Sequence, residues 1–150
     1  MQNTDFTEYL KMSPEELLKL QKSRGWALSS IGNLVYKILR RKHEPKNYKG
    51  ICEYFEVEGS GWGLEMGWFF ICTKGSSDAL KNHEVGHLIQ NAAVGGLQML
   101  FLSIGSMIRF WWRRVFKPKT GYYDWWFEGQ ASELGDKYVN RIIANKENDK

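Results

Sequence analysis

The 150-residue chain sets 21 Lys and Arg against 17 Asp and Glu, a net charge of +4, with 43% hydrophobic and 15% aromatic residues. That composition excludes a disordered chain and suits one domain, 1–150, with its own core, while the charge excess is too small to name a nucleic-acid or membrane partner by itself. Two cysteines, Cys52 and Cys72, exclude a disulfide framework and are expected to be reduced, buried thiols of a cytoplasmic protein.

The opening residues, MQNTDFTEYLKM, lack the basic start and apolar run of a signal peptide. Residues 1–12 and the polar tail 145–150 are expected to be flexible. Ser13 to Leu20 opens a helix, with Ser13 as N-cap, Pro14 at the first helical position and Glu16 completing a capping box; Arg24-Gly25 is expected to end it. A second helix is predicted from Trp26 to Lys42, with Leu28, Ile31, Leu34, Val35, Ile38 and Leu39 at helical spacing, ending in the basic run before Pro45. These helices fill 13–43. The period then changes. ICEYFEVEG and GLEMGWFFICT are rich in β-branched and aromatic residues and flank Gly59-Ser60-Gly61, the pattern of a β-hairpin or short antiparallel sheet, with both cysteines near its open end. A helix follows from Asp78 to Gly95-Gly96, then the apolar stretch LQMLFLSIGSMIRFWWRRVF, the loop KPKTGYYD and a last helix from Trp125 to Ala144. Helices segregated from a small sheet make the expected class α+β.

Two of the three histidines stand in the Asp78 helix, in LKNHEVGHLIQ. Residues four apart lie one above the other on a helix, so His83 and His87 present two imidazoles to one ion, at roughly 2.0–2.1 Å for Zn2+. Glu84 sits about 100° round from His83, beside the ion, placed to hold a metal-bound water. Val85, Leu88, Ile89 and Ala92 form the apolar stripe, and the histidines lie opposite it with Gln90, facing something polar.

Catalytic zinc takes three protein ligands and keeps one position open. After the motif, the carboxylates to weigh are Asp124, Glu128, Glu133 and Asp136. In the last helix Phe127, Ala131, Leu134, Tyr138 and Ile142 make the apolar stripe; Glu133 and Asp136 point away from it, and Asp124 precedes the helix. Glu128 borders the stripe on the side of Ala131 and Gly135, small residues that let this helix approach another closely, and Gly86 in the motif offers a matching gap.

HEVGH followed by EGQAS resembles the gluzincin zinc metallopeptidases, in whose smallest members a short sheet, the HExxH helix and a glutamate-bearing helix are nearly the whole core. HEVGHLIQN, SMIRFWWR and WFEGQASELG also resemble a group of small bacterial and phage-borne proteins of unassigned function, with HExGHxxQ and WFEGQA signatures. The resemblance runs from about Tyr54 to Gly135 and leaves out the N-terminal helices. It implies a zincin-like domain and a hydrolase acting on a peptide or protein substrate. His83, His87 and Glu128 are then the zinc ligands, and Glu84 is the general base that takes a proton as water attacks a carbonyl. Ser132 stands where many relatives carry an aspartate that orients a ligand histidine, and a serine holds that histidine more weakly. Tyr122 and Tyr123, just before the glutamate helix, are candidate oxyanion donors. The strand before the motif helix is the expected docking edge for an extended substrate.

Leu97 to Ile108 is nearly all apolar, yet even when extended back to Ala92 it falls short of the roughly 20 residues a membrane span needs. The expectation is a core helix ending in the solvated Arg109, Arg113 and Arg114. Trp111 and Trp112 among those arginines make peripheral or re-entrant membrane contact through 97–114 the alternative. RRKHEP is expected to be a solvated helix end, and nucleic acid is not an expected partner. Two other readings stay open: a non-catalytic zinc protein whose site is closed by His43 or a cysteine, and a membrane-associated interaction protein.

Overall fold

The computed structural model describes residues 5–24, 26–116 and 126–148. Three helices, α1 (Thr7–Lys11), α2 (Pro14–Arg24) and α3 (Trp26–Leu39), precede four strands, β1 (Lys46–Tyr48), β2 (Cys52–Val57), β3 (Gly63–Glu65) and β4 (Phe69–Thr73). Three longer helices follow: α4 (Asp78–Val94), α5 (Gly96–Phe116) and α6 (Trp126–Asn148). The class is α+β, as expected. The capping box forms at the start of α2: Glu16 accepts from the Ser13 backbone N–H at 2.8 Å, and Ser13 Oγ accepts from the Glu16 N–H at 3.3 Å.

The sheet is mixed, in the order β1-β2-β4-β3, and this corrects the expected hairpin. β2 and β4 run parallel, with Phe55 opposite Ile71, while β3 returns antiparallel on the far side of β4, with Leu64 opposite Ile71. The stretch from Gly63 to Thr73 is therefore two strands. It breaks where Gly67 takes a φ of 94° and the Met66 N–H donates to Phe69 O at 2.8 Å. The central glycine of that run was the signal for a tight turn. β1 was not expected; it pairs antiparallel with β2 through a turn in which Lys49 and Gly50 both have positive φ. Cys52 therefore begins β2, while Cys72 lies opposite Glu56 near its other end, and both are free thiols.

The sheet has a core on each face. Phe55, Phe69 and Ile71 pack with Val35, Tyr36 and Leu39 of α3. Tyr54 and Phe70 face the larger core, built with Val85, Leu88 and Ile89 of α4 and Leu134, Tyr138 and Ile142 of α6. Phe55, Phe69 and Phe70 are fully buried, each contributing about 1.5–3 kcal/mol by removal from water. Both segments expected to be flexible are tied down in part. α1 lies within 1–12 beside the buried Phe6, and α6 continues through 145–148, where Lys146 Nζ donates to Lys49 O at 2.5 Å.

Two further expectations are corrected at α3 and α5. α3 ends at Leu39, before Lys42, in a turn where His43 N–H donates to Leu39 O at 2.8 Å. It buries Leu28, Ser29 and Gly32, while Ile31, Leu34 and Ile38 are exposed. The small side chains face inward because the chain passes so close that a Cβ on Gly32 would overlap Met66 O. α5 joins a core only near its start, where Met99 is buried with Leu28 and Phe127 and with Leu100 and Leu102 packed against them; beyond that its apolar side is outward, with Phe101, Ile108 and Val115 64–68% exposed. No helix among the described residues is long and apolar enough to cross a membrane.

Candidate metal centre

α4 begins at a sound cap, with Ser77 Oγ accepting from the Leu80 N–H at 3.3 Å, and every residue from His83 to Ala92 is buried. Its apolar stripe meets the core, and its polar side meets α6 in the most extensive contact between any two elements. The approach is backbone to backbone. A Cβ on Gly86 would overlap Ala131 O, and one on Gly135 would overlap Asn82 O. Only glycine at both positions lets the helices come this close, and that closeness brings a first-turn carboxylate of α6 up to two imidazoles of α4.

His83, His87 and Glu128 form a buried group in which each offers one metal-ligating atom. His83 Nε2 lies 3.1 Å from Glu128 Oε2 and 3.1 Å from His87 Nε2, and His87 Nε2 lies 3.3 Å from Glu128 Oε2. Three ligands of one tetrahedral zinc, at roughly 2.0–2.1 Å from it, would stand about 3.3–3.4 Å apart. The triangle has the size that such an ion requires.

The outer partners settle which atoms carry hydrogens. Gln90 Nε2 donates to Phe127 O and to Gln130 Oε1, both at 3.0 Å, which leaves Gln90 Oε1 as an acceptor 2.8 Å from His87 Nδ1. His87 Nδ1 therefore carries its hydrogen, and in the neutral ring Nε2 turns a lone pair inward. Ser132 Oγ returns its hydrogen to Glu128 O one turn back, at 3.4 Å, and receives His83 Nδ1 at 2.9 Å. The second oxygen of Glu128, Oε1, accepts from Ser106 Oγ of α5. Three lone-pair atoms thus converge with no hydrogen of their own to share, an arrangement that repels itself unless a cation or a proton lies between them.

The electrostatics describe the same need. Burial disfavours charge on Glu128, but the two imidazoles and the Ser106 hydroxyl facing it outweigh burial and hold this carboxyl well below the usual range. Burial also opposes protonation of His87, yet Glu128, with Glu84 adding, lifts it to about 9. His83 is shifted down, first by burial and then by the charge of His87. Of the two imidazoles, His87 is the one that the neighbouring carboxylates favour in its protonated form, and a cation held by the three residues would compete with that proton.

Glu84 is 3% exposed, and burial pushes its carboxyl up to about 7. The charge of Glu128 adds to the shift, while the charge of His87 and the backbone N–H of Glu65 oppose it. Its carboxylate lies against β3, the edge strand, where a Cβ on Gly63 would run into it. Glu65 is a second buried acid. Its Oε1 accepts from the Gly67 N–H at 2.7 Å, its Oε2 has no partner among the described residues, and burial pushes it up to about 8. Glu65 feels the charges of both His87 and Glu84.

The structure brings His83, His87, Glu128 and Ser132 together as the sequence predicted, with Glu84 at their side. Glu133 pairs with Lys137 on the surface, and the exposed Asp136 accepts from Asn82 Nδ2 at 2.7 Å, so neither joins. Asp124, Tyr122 and Tyr123 lie outside the described residues. Among the described residues neither His43 nor either cysteine belongs to the group. Ser106 and Glu65 were missed. A serine in an apolar run and a glutamate in an alternating strand were faint signals, and neither points to a site without the tertiary contact. No protein-family model matches the chain, and no curated protein or solved structure matches it either.

Proposed function

We propose that this chain is a zinc-dependent peptidase of gluzincin type, with His83, His87 and Glu128 as metal ligands and Glu84 as general base. The observation that carries the reading is the inward convergence of three lone-pair atoms 3.1–3.3 Å apart, each residue held from its other side by Gln90, Ser132 or Ser106. Two imidazoles and a carboxylate suit zinc, and three protein ligands are the number found in catalytic zinc sites. When bound, the cation supplies Lewis acidity, making a water nucleophilic near neutral pH and taking up charge that develops on a carbonyl oxygen.

The chain's own residues do the rest. Glu84 lies beside the three ligands, and its carboxylate accepts a proton from an attacking water and returns it to a leaving amine. Gln90 and Ser132 fix the tautomers of the two histidines, and Ser106 directs Glu128 to offer a single oxygen. β3 is paired on one side only, with β4, and lies beside Glu84, so an extended peptide adding to its open edge would carry its backbone past that carboxylate.

Glu84→Gln tests the proposal. Glutamine keeps the shape but accepts no proton, so zinc content and melting temperature should hold while hydrolysis of an unfolded protein falls by about 10²–10⁴-fold. Cleavage by the variant at the wild-type rate would sink the role given to Glu84. A wild type that holds zinc but cleaves nothing in a broad peptide screen would favour a non-catalytic zinc protein.

A further inference from the structure

We propose that the outer face formed by α3 and α5 docks on an anionic lipid bilayer surface, with α5 lying along the membrane rather than crossing it. The first observation is that α5 buries only its beginning in a core. Met99 is buried there with Leu100 and Leu102 packed beside it, the inward side further along carries Ser103, Ser106, Arg109 and Arg113, half-buried or buried, and ten large apolar side chains of the same helix are 41–68% exposed. Leu97, Phe101, Ile104, Ile108, Trp111 and Val115 recur at helical spacing along its outer side. A helix facing water has the opposite arrangement, and single exposed apolar residues are ordinary where a continuous stripe of them is not. α3 packs beside α5 and adds Leu34 and Ile38, 62% and 53% exposed.

Charge selects the occupant. Neither helix contains an Asp or Glu, in a chain that has 17, and both end in exposed cations: Arg114 in α5, and Lys37 followed by Arg40, Arg41 and Lys42 at α3. Tryptophan at 111 and 112 beside arginine is the composition of a helix at the headgroup level. An apolar stripe flanked by cations matches an anionic bilayer, where acyl chains take the stripe and phosphates take the charges. A neutral apolar partner or a second copy of this cationic face would leave the charges unmatched. α5 runs about 31 Å at 1.5 Å per residue, enough to lie across many headgroups, and no described helix is apolar enough to span. Its inner side meanwhile holds Glu128 through Ser106, so one helix joins the docking face to the metal centre. The proposal does not depend on catalysis.

The test is flotation of the full chain with vesicles of phosphatidylcholine alone or mixed with phosphatidylglycerol. Wild type should float with the mixed vesicles, less with the neutral ones, and lose binding as salt rises. Phe101→Ser with Ile108→Ser should abolish flotation while keeping the circular dichroism spectrum and melting temperature, since both positions are exposed. Arg40→Glu with Arg41→Glu should weaken binding to the anionic vesicles, by roughly five-fold or more per charge, and leave the neutral-vesicle level unchanged. Three results would overturn the proposal: wild type that stays behind with anionic vesicles, apolar variants that bind as tightly as wild type, or a wild-type dimer that ignores vesicles and becomes monomeric on Phe101→Ser with Ile108→Ser.

Discussion

The α4–α6 interface and the α3–α5 face break the usual partition of side chains in opposite directions. Between α4 and α6 the chain buries two histidines, two glutamates and a glutamine. On α5, past the buried Met99, it turns most aromatic and aliphatic side chains outward while Ser106, Arg109 and Arg113 lie buried or half-buried. Burying ionisable groups costs several kcal/mol each unless they are paired, and exposing apolar area forfeits the main favourable term of folding. Neither arrangement suits a chain alone in water. On the proposals above, each would be relieved by something outside the polypeptide, a cation in one case and an apolar medium in the other. The two differ in rigidity. The α4–α6 site is held by backbone contact and a set of hydrogen bonds, whereas the contacts shown on the outer face of α5 are ring contacts between its own side chains.

That difference predicts unequal responses to substitution. His87→Ala or Glu128→Ala should reduce zinc from one ion per chain to none by native mass spectrometry. Either change should also cost about 3–5 kcal/mol of stability when a buried charge loses its partner. Phe101→Ser on the outer face should move stability by no more than about 0.5 kcal/mol in a denaturant titration without lipid. Equal losses in the two regions would erase the contrast, since α5 would then belong to the core.

Gly135→Val sharpens the same contrast at the backbone. Its side chain would meet Asn82 O and press α6 away from α4, drawing Glu128 back from the histidines. The expected cost is about 1–3 kcal/mol of overpacking, together with weakened zinc binding, although the substitution touches no ligand. A variant with wild-type zinc affinity by chelator competition would show that the close approach is not what builds the site.

The pH dependence of the metal-free protein tests the burial of the site's acids. Glu84 and Glu65 hold their protons up to about 7 and about 8, above the usual carboxylate value of 4.5. The folded state therefore binds more protons than the unfolded state, and stability falls as pH rises through that window. His87, lifted from 6.5 to about 9, adds stability that is full below 6.5 and lost as pH climbs through 9. Glu128 acts in the opposite sense, but only below the usual carboxylate range. The melting temperature of the metal-free chain should decline between about pH 6.5 and about pH 9, with His83, shifted down, opposing the decline below 6.5, and the gain on adding zinc should grow as the proton on His87 leaves. A flat metal-free profile would mean that the buried acids are solvated.

Whatever depends on near neighbours in the chain was legible in the sequence. The i, i+4 spacing of His83 and His87 places two imidazoles together on any helix, and the capping residues of α2 mark its start. Glycine at 86 and 135 announces a close helix crossing, and the border position of Glu128 points it at that crossing. The local pattern could not decide which strand pairs with which, because β2 and β4 have the same composition in a parallel pair as in a hairpin; only the turn at Gly67 and the passage through β3 separate the two. Nor could it decide which side of α5 meets water. Helical periodicity gives an apolar stripe without saying what lies against it, and the assumption that the stripe faces the core held only around Met99, because further along the inner side is the one that brings Ser106 to Glu128. The partners of the metal centre from outside α4 and α6, Ser106 from α5 and Glu65 from β3, come from segments that meet only in the folded chain. Their chemistry arises from burial, and burial is a property of the packed molecule.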